Sequence, residues 1–504
     1  MNAGRRIPAA AAWALLLVAG GTFLYHASIY WSWTEDDAFI SLRYAQNLVR
    51  GHGLVFNPGE RVEGYSNFLW VALSAAAMRA EADPIQVIKV VGLLAGALCL
   101  PLSWLLARRL APGAGLAALL APFYLAISPV LVQHSIAGLE TSLFAALLVG
   151  AVLLAGARPA PWRRLALVGV LLLLSLTRPE APAIAVLLLL LRALAASRGA
   201  ERRGVVLEAA VYAVLFGAYF VWRWSYFGAP FPNTFYAKAN GRLAGIIDGA
   251  QYTLDFLRDA GGVLFVGLAL VPLVTGRVRA LYGMTLAVLL FNFAFVIAAG
   301  GDWMFHYRFF AHVLPVLAAA LAAGLAGILA LPRSGTLQAA ALYACLGLVL
   351  LATYMGIGNT ELRISRSVLP ALQQHNYLSQ NYEELGRWFH DNSPPGSSIA
   401  ISDVGAVGYF SERHILDMFG LIDPHIGRLP GRIHYKADPQ YVLSRRPDYI
   451  VLVSLNDEGA GYSFQRIPDY SMNAQPEFHA NYELIRTVPQ YWQNEFVLVF
   501  KRRG

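Results

Sequence analysis

Cysteine and charge are both scarce in this chain. Only Cys99 and Cys345 occur among 504 residues, each inside an apolar run, so no disulfide framework, CxxC redox pair or thiolate metal site can be built within one chain. Asp, Glu, Lys and Arg supply 14% of the residues against 57% hydrophobic ones, which excludes an ordinary soluble enzyme of this length. The metal motif HExxH and the dinucleotide motif GxGxxG are absent, as are low-complexity tracts and soluble-repeat periods. The net charge of +8 comes from small basic clusters at the ends of apolar runs, not from a basic surface interleaved with aromatics. No nucleic-acid partner is expected. What remains is an integral membrane protein surrounded by membrane lipid.

The basic clusters set the topology. Arg5 and Arg6 precede an apolar run over 9–29, long enough for a retained first span, which needs about 20 residues. Further runs over 85–107, 111–128, 139–154, 205–221 and 339–355 alternate with Arg108 and Arg109, with Arg158, Arg163 and Arg164, with Arg192, Arg198, Arg202 and Arg203, with Arg277 and Arg279, and with Arg333. With these clusters inside, the chain reads as a polytopic α-helical protein of about eleven transmembrane helices. Its membrane domain covers 1–357, with outer loops at about 30–70 and 225–259, and 358–504 forms an extracytoplasmic α/β domain. Short strands are expected there at 398–402, 449–453 and 496–500. Gly92 and Gly96 have the spacing of close helix packing.

Four polar segments arrive on the outer side. The longest, Trp33 to Trp70, opens with Thr34-Glu35-Asp36-Asp37 at the start of a helix. A Thr three residues before an acid is a capping-box pattern, yet capping accounts for one carboxylate and not for a pair. Asp36 or Asp37 could act as general base towards an acceptor hydroxyl, or the two could bind a divalent cation, a metal requirement that the sequence leaves open. Arg43 falls near the face of Asp36, and Glu63 starts a turn before the next helix; His52 reads as structural. The second segment, Thr177-Arg178-Pro179-Glu180, lies between two short apolar runs, and charges at membrane depth face a cavity or each other. Lys238 closes the third segment, and Asp302, Trp303, His306 and Arg308 mark the fourth. Arg178, Lys238, His306 and Arg308 are the candidate cations for a lipid phosphate, while Trp303 either contacts substrate or anchors the interface with Trp70, Trp222 and Trp224. In the last portion, Asp417, Asp423, His425 and His434 follow Asp403 closely without a defined metal-ligand spacing.

Together, EDDAFISLRYAQNLVRGHGLVFNPGERVEGYSNFLW, LTRPE, PNTFYAK, GGDWMFHYRF and DVGAVGYFSERHILDMFGLIDPHI resemble the bacterial membrane glycosyltransferases similar to the terminal arabinofuranosyltransferase of mycobacterial cell walls. The resemblance implies a GT-C fold in the cytoplasmic (inner) membrane, a catalytic acidic motif at Asp36 and Asp37, and a polyprenyl-phosphate sugar as donor. The acceptor would be an extracytoplasmic glycan or protein. It implies supporting roles for Glu63 and the Arg308 loop, and does not fix the sugar. A mannosyl- or other hexosyltransferase acting on protein or lipopolysaccharide is the rival enzyme, and a lipid-linked sugar transporter the rival from another class.

Overall fold

A computed structural model describes residues 8–196, 199–239, 242–260, 263–274, 280–329, 369–432, 434–456, 461–489 and 495–504. The chain divides into two compact units. The first comprises Met1–Trp31, Lys89–Tyr219 and Gly245–Arg366; the second comprises Ser32–Ile88, Phe220–Ala244 and Ser367–Gly504.

The first unit is helical and apolar. Among the described residues four helices are long and apolar enough to cross a bilayer: Ala9–Ile29, Pro84–Leu110, Gly199–Phe227 and Ala280–Ala299. The protein is a multi-pass membrane protein. Gly115–Ile127 and Pro129–Ile136 make a further crossing if taken together, with a bend of 53° between them. Pro129 explains the break, because its ring drives the preceding residue out of the α region, and Ser128 is extended at ψ 116°. Thr141–Ala155, Ala181–Ala195 and Leu314–Leu329 are apolar but shorter, so the described helices do not by themselves add up to eleven full spans. The span expected at 339–355 lies outside the described residues, as do Arg198, Arg277, Arg279, Arg333 and Cys345. Close packing at Gly92 and Gly96 is realised against Ser135. A Cβ at Gly92 would stand 2.4 Å from the Ser135 carbonyl oxygen, and one at Gly96 2.2 Å from its hydroxyl.

The second unit carries a five-stranded sheet. Its strands are β1 (Ser398–Ile401), β2 (His414–Asp417), β3 (Tyr449–Ser454), β4 (Tyr482–Pro489) and β5 (Phe496–Arg502), in the order β2-β1-β3-β5-β4. β1 runs parallel to both neighbours, and β5 antiparallel to β3 and β4. Every residue of β3 is buried, as a strand covered on both faces requires, and Ile450 and Leu452 meet Leu498, Met472 and Phe478 in the core. The three strands expected from sequence are β1, β3 and β5.

The polar segments at 32–88 and 220–244 fold into this same unit. Asn57 binds the edge of β2 through both ends of its side-chain amide, donating to the Ile415 carbonyl at 2.8 Å and accepting from its N–H at 3.0 Å. Arg50 pairs with Glu412 at 2.6 Å and Glu60 meets His414 at 3.0 Å. The buried Asn233 donates to the carbonyls of Gly420, Leu421 and Asp423, and Lys436 donates to those of Ala237 and Gly427. These bonds satisfy loop backbone that would otherwise be buried without partners.

Candidate active site

Helix Asp36–Val49 begins after Glu35, which is its N-cap residue without a side-chain capping bond, so Thr34 does not play the capping part that its spacing suggests. Asp36 caps a different helix. Its Oδ1 accepts the Ala406 N–H at 2.8 Å and its Oδ2 accepts the Gly405 N–H at 3.0 Å, at the start of helix Gly405–Ser411. Gly405 permits this approach, since a Cβ there would lie 2.1 Å from the Asp36 carbonyl oxygen and 2.5 Å from Oδ2. Burial, and next the negative charge of Asp403, push the Asp36 carboxyl up to about 7 against the pull of the two amides. Asp37 is half-buried in the same first turn, about 100° further round the helix.

A second group lies where the parallel strands end. Asp403 follows β1, and its Oδ2 accepts the Tyr382 hydroxyl at 2.7 Å and a guanidinium N–H of Arg466. Burial alone would raise this carboxyl, but Arg466 and Tyr382 hold it below the usual carboxylate range. The Arg466 guanidinium also stands 5.9 Å over the Phe419 ring, and His434 meets that ring edge-on with centroids 4.5 Å apart. Burial brings the His434 imidazole down to about 4; Asp403 opposes this, while the charges of Arg466, Lys238 and Arg432 add to it. His434 also has a left-handed φ of 42°, which costs about 1–3 kcal/mol and is tolerated where the surroundings enforce it.

Other residues picked from the sequence are placed differently. Arg43 is buried and spends its guanidinium on the Phe56 carbonyl at 3.2 Å and the Gln46 amide oxygen at 2.8 Å. It orders the loop that follows its helix. Glu63 is buried against Arg223 at 2.6 Å, and burial outweighs that guanidinium in pushing its carboxyl up to about 7. Both residues hold the framework. Lys238 is exposed near the end of helix Asn233–Ala239. Asp423 caps helix Pro424–Arg428 through the N–H groups of His425 and Ile426, and Asp417 accepts those of Phe419 and Ile422. These two acids shape turns.

In the first unit the candidate arginines face carboxylates. Arg178 donates to Glu140 at 2.9 Å and to Glu180 at 2.5 Å, with all three residues buried. Arg308 grips Asp302 through two bonds, at 2.6 and 3.2 Å. A phosphate reaching either guanidinium must therefore displace a carboxylate. His312 Nδ1 lies 3.9 Å from Glu180, His306 has a left-handed φ of 54°, and Trp303 is 52% exposed, as an interfacial anchor would be. Among the described residues no three His, Cys, Asp or Glu side chains converge in a way that could hold a metal ion, and both oxygens of Asp36 already bind backbone amides.

The same arrangement of helices and sheet recurs in solved structures. The arabinofuranosyltransferase AftD from Mycobacteria matches 99% of this chain and 40% of its own, with a TM-score of 0.53 and 13% identity. The Archaeoglobus fulgidus oligosaccharyltransferase, tethered to an acceptor peptide containing the NVT sequon, matches 96% of this chain and 73% of its own, with a TM-score of 0.52 and 14% identity. The fold is of the GT-C type. At these identities the likeness is one of fold. A curated terminal β-(1→2)-arabinofuranosyltransferase of Corynebacterium glutamicum is 43% identical over 56 residues, which is 11% of this chain and 8% of that protein. Residues 373–500 match a family described as a domain of unknown function (DUF8728). Around Asp403 the residues that sequence reasoning passed over are Tyr382 and Arg466. Asp403, immediately after a strand and before Val404-Gly405, carried a readable signal; Arg466, in an irregular loop, carried none.

Proposed function

We propose that the protein is a membrane glycosyltransferase that moves a sugar from a polyprenyl phosphate to a hydroxyl of a glycan or protein acceptor on the extracytoplasmic side of the inner membrane. Arabinofuranose is the sugar suggested by the relative from Corynebacterium glutamicum. The observation that carries this reading is that Asp36, the first of the acidic pair, is fastened to the amides of Gly405 and Ala406; we assign the chemical role to Asp37, beside it in the first helical turn. Asp37 accepts the acceptor hydroxyl proton as that oxygen attacks the anomeric carbon. The bond from the anomeric carbon to the phosphate oxygen breaks, and polyprenyl phosphate leaves as an anion. Its departure requires stabilisation of charge more than protonation, and Lys238 is a cation of the same unit suited to that. A carboxylate acting as base corresponds to an inverting displacement.

The test is a panel of polyprenyl-phosphate sugars, arabinofuranose and mannose included, offered to the purified protein with a hydroxyl acceptor, with and without a chelator. Formation of a new glycosidic bond from at least one donor supports the reading and names the sugar. Movement of a lipid-linked sugar across vesicles without bond formation would replace it with transport.

A further inference from the structure

Helix Asn233–Ala239 of the second unit has two unlike faces. At about 100° per residue, Asn233 and Ala237 lie on one side, and both are buried. Asn233 holds the carbonyls of Gly420, Leu421 and Asp423, while the Ala237 carbonyl accepts the Lys436 ammonium. Phe235 and Lys238 fall on the other side, three residues apart, and both are exposed. Phe231 stacks on Phe235 with ring centroids 4.7 Å apart, yet the two residues are 46% and 47% exposed. The backbone around them is fixed, since Arg223 donates to the Pro230 carbonyl and the Asn233 N–H donates to the Glu63 carbonyl. Tyr236 touches both rings edge-on, and the exposed Arg428 sets its guanidinium 5.3 Å over the Tyr236 ring. Two stacked phenylalanines and two cations thus share one exposed surface.

The chain reaches this surface from the membrane. Helix Gly199–Phe227 is long and apolar enough to cross a bilayer. Counting from Val205, about 20 residues at 1.5 Å each traverse the roughly 30 Å of hydrocarbon, which puts the far boundary near Trp224. Trp222 and Trp224 are exposed there, as tryptophans at a membrane interface are. Phe231 comes four residues after the helix end, so it lies within about 14 Å of it. Exposed rings flanked by Lys and Arg at that level match the layer in which lipid tails give way to phosphates.

We infer that Phe231 and Phe235, with Lys238 and Arg428 beside them, form a membrane-docking surface of the second unit. The rings enter the boundary between headgroups and acyl chains, and the two cations meet lipid phosphates. The partner is the bilayer itself, and anionic phospholipid strengthens the contact. This gives the segment at 230–239 the task of holding the sheet domain at the level of the lipid phosphates. The inference stands without the sugar-transfer reading.

The test uses the full-length protein in nanodiscs of phosphatidylcholine and phosphatidylglycerol, with acyl chains that carry bromine just below the headgroups or carry none. Phe231→Cys and, separately, Phe235→Cys are labelled with an NBD fluorophore, so that either serves if the other fails to fold. Tyr470→Cys, at an exposed position of helix Ile467–Asn473, is the reference site, and the protein without an introduced cysteine gives the background from Cys99 and Cys345. Interfacial side chains sit about 5–10 Å into the boundary, so bromine should quench labels at 231 and 235 at least about twofold more than at 470. Phosphatidylglycerol should increase that quenching, and Arg428→Gln should reduce the increase; an increase unchanged by Arg428→Gln removes Arg428 from the surface. Labels at 231 and 235 that bromine does not quench, or quenches no more than the label at 470, overturn the inference. An emission change on adding a soluble oligosaccharide would then identify a sugar-stacking platform, and energy transfer between labelled copies a contact between two copies of this chain.

Discussion

Gly405→Ala is the sharpest probe of how the acidic helix is held. The new Cβ would lie 2.1 Å from the Asp36 carbonyl oxygen and 2.5 Å from its carboxylate, closer than any real contact, and one of these atoms is backbone, so the helix start has to move. Moving it forfeits at least one of the hydrogen bonds that Asp36 accepts from Gly405 and Ala406; a hydrogen bond to a charged group contributes about 1.5–3 kcal/mol. Overpacking adds about 1–3 kcal/mol, and partial relaxation puts the total near 2–5 kcal/mol. For a unit of this size the melting midpoint falls about 2–4 °C per kcal/mol, so thermal unfolding in detergent should drop by about 4–20 °C, with sugar transfer lost in the protein that remains folded. Gly396→Ala is the control: nothing lies within 4 Å of its added Cβ, and the change should leave the stability within about 1 kcal/mol of wild type. A Gly405→Ala protein that melts and transfers like the Gly396→Ala protein would refute the anchoring of Asp36.

Other outcomes follow from the same contacts. Glu63→Ala leaves Arg223 buried without its carboxylate and should cost about 3–5 kcal/mol, with the double change to Glu63→Gln and Arg223→Met costing less, as read by denaturant unfolding. Arg178→Ala strands Glu140 and Glu180 inside the first unit and should reduce the amount of folded protein recovered from membranes far more than Arg258→Ala, whose side chain is itself largely exposed. Burial holds the carboxyls of Asp36, Glu63, Asp417 and Asp469 up at about 7. Folding therefore binds protons at these sites, and the stability of the second unit should fall as pH rises from about 4 to 7 and level off above. Asp36→Asn should flatten part of that slope in melting curves recorded across the range.

Much of the architecture was legible because the bilayer imposes a simple pattern. Spans such as Ala9–Ile29 and Pro84–Leu110 stand out by length and flanking arginines, and β1, β3 and β5 by short runs of β-branched residues between turn signals. β2 was hidden because it is four residues long and ends in the charged Asp417. β4 is an edge strand of largely exposed residues, so its Tyr-Glu-Leu-Ile-Arg-Thr lacks a clean alternation. The acidic pair was visible, but the anchoring of Asp36 was not, since it finds its partners at Gly405 and Ala406, hundreds of residues away. Glu63 and Arg43 drew notice as charges of the outer polar segment and are buried in the structure, Glu63 against Arg223 and Arg43 against the Phe56 carbonyl and the Gln46 amide oxygen, because a long loop packed on a sheet must satisfy its own backbone and charges.

The most direct measurement of the central claim is single-turnover sugar transfer by wild type, Asp36→Asn and Asp37→Asn, each at matched abundance of folded protein and with the donor that the panel identifies. Loss of a general base lowers a rate by about 10²–10⁴-fold. Asp37→Asn should show that loss with the fold intact, and Asp36→Asn should lose stability along with activity. Full transfer by Asp37→Asn would contradict the account.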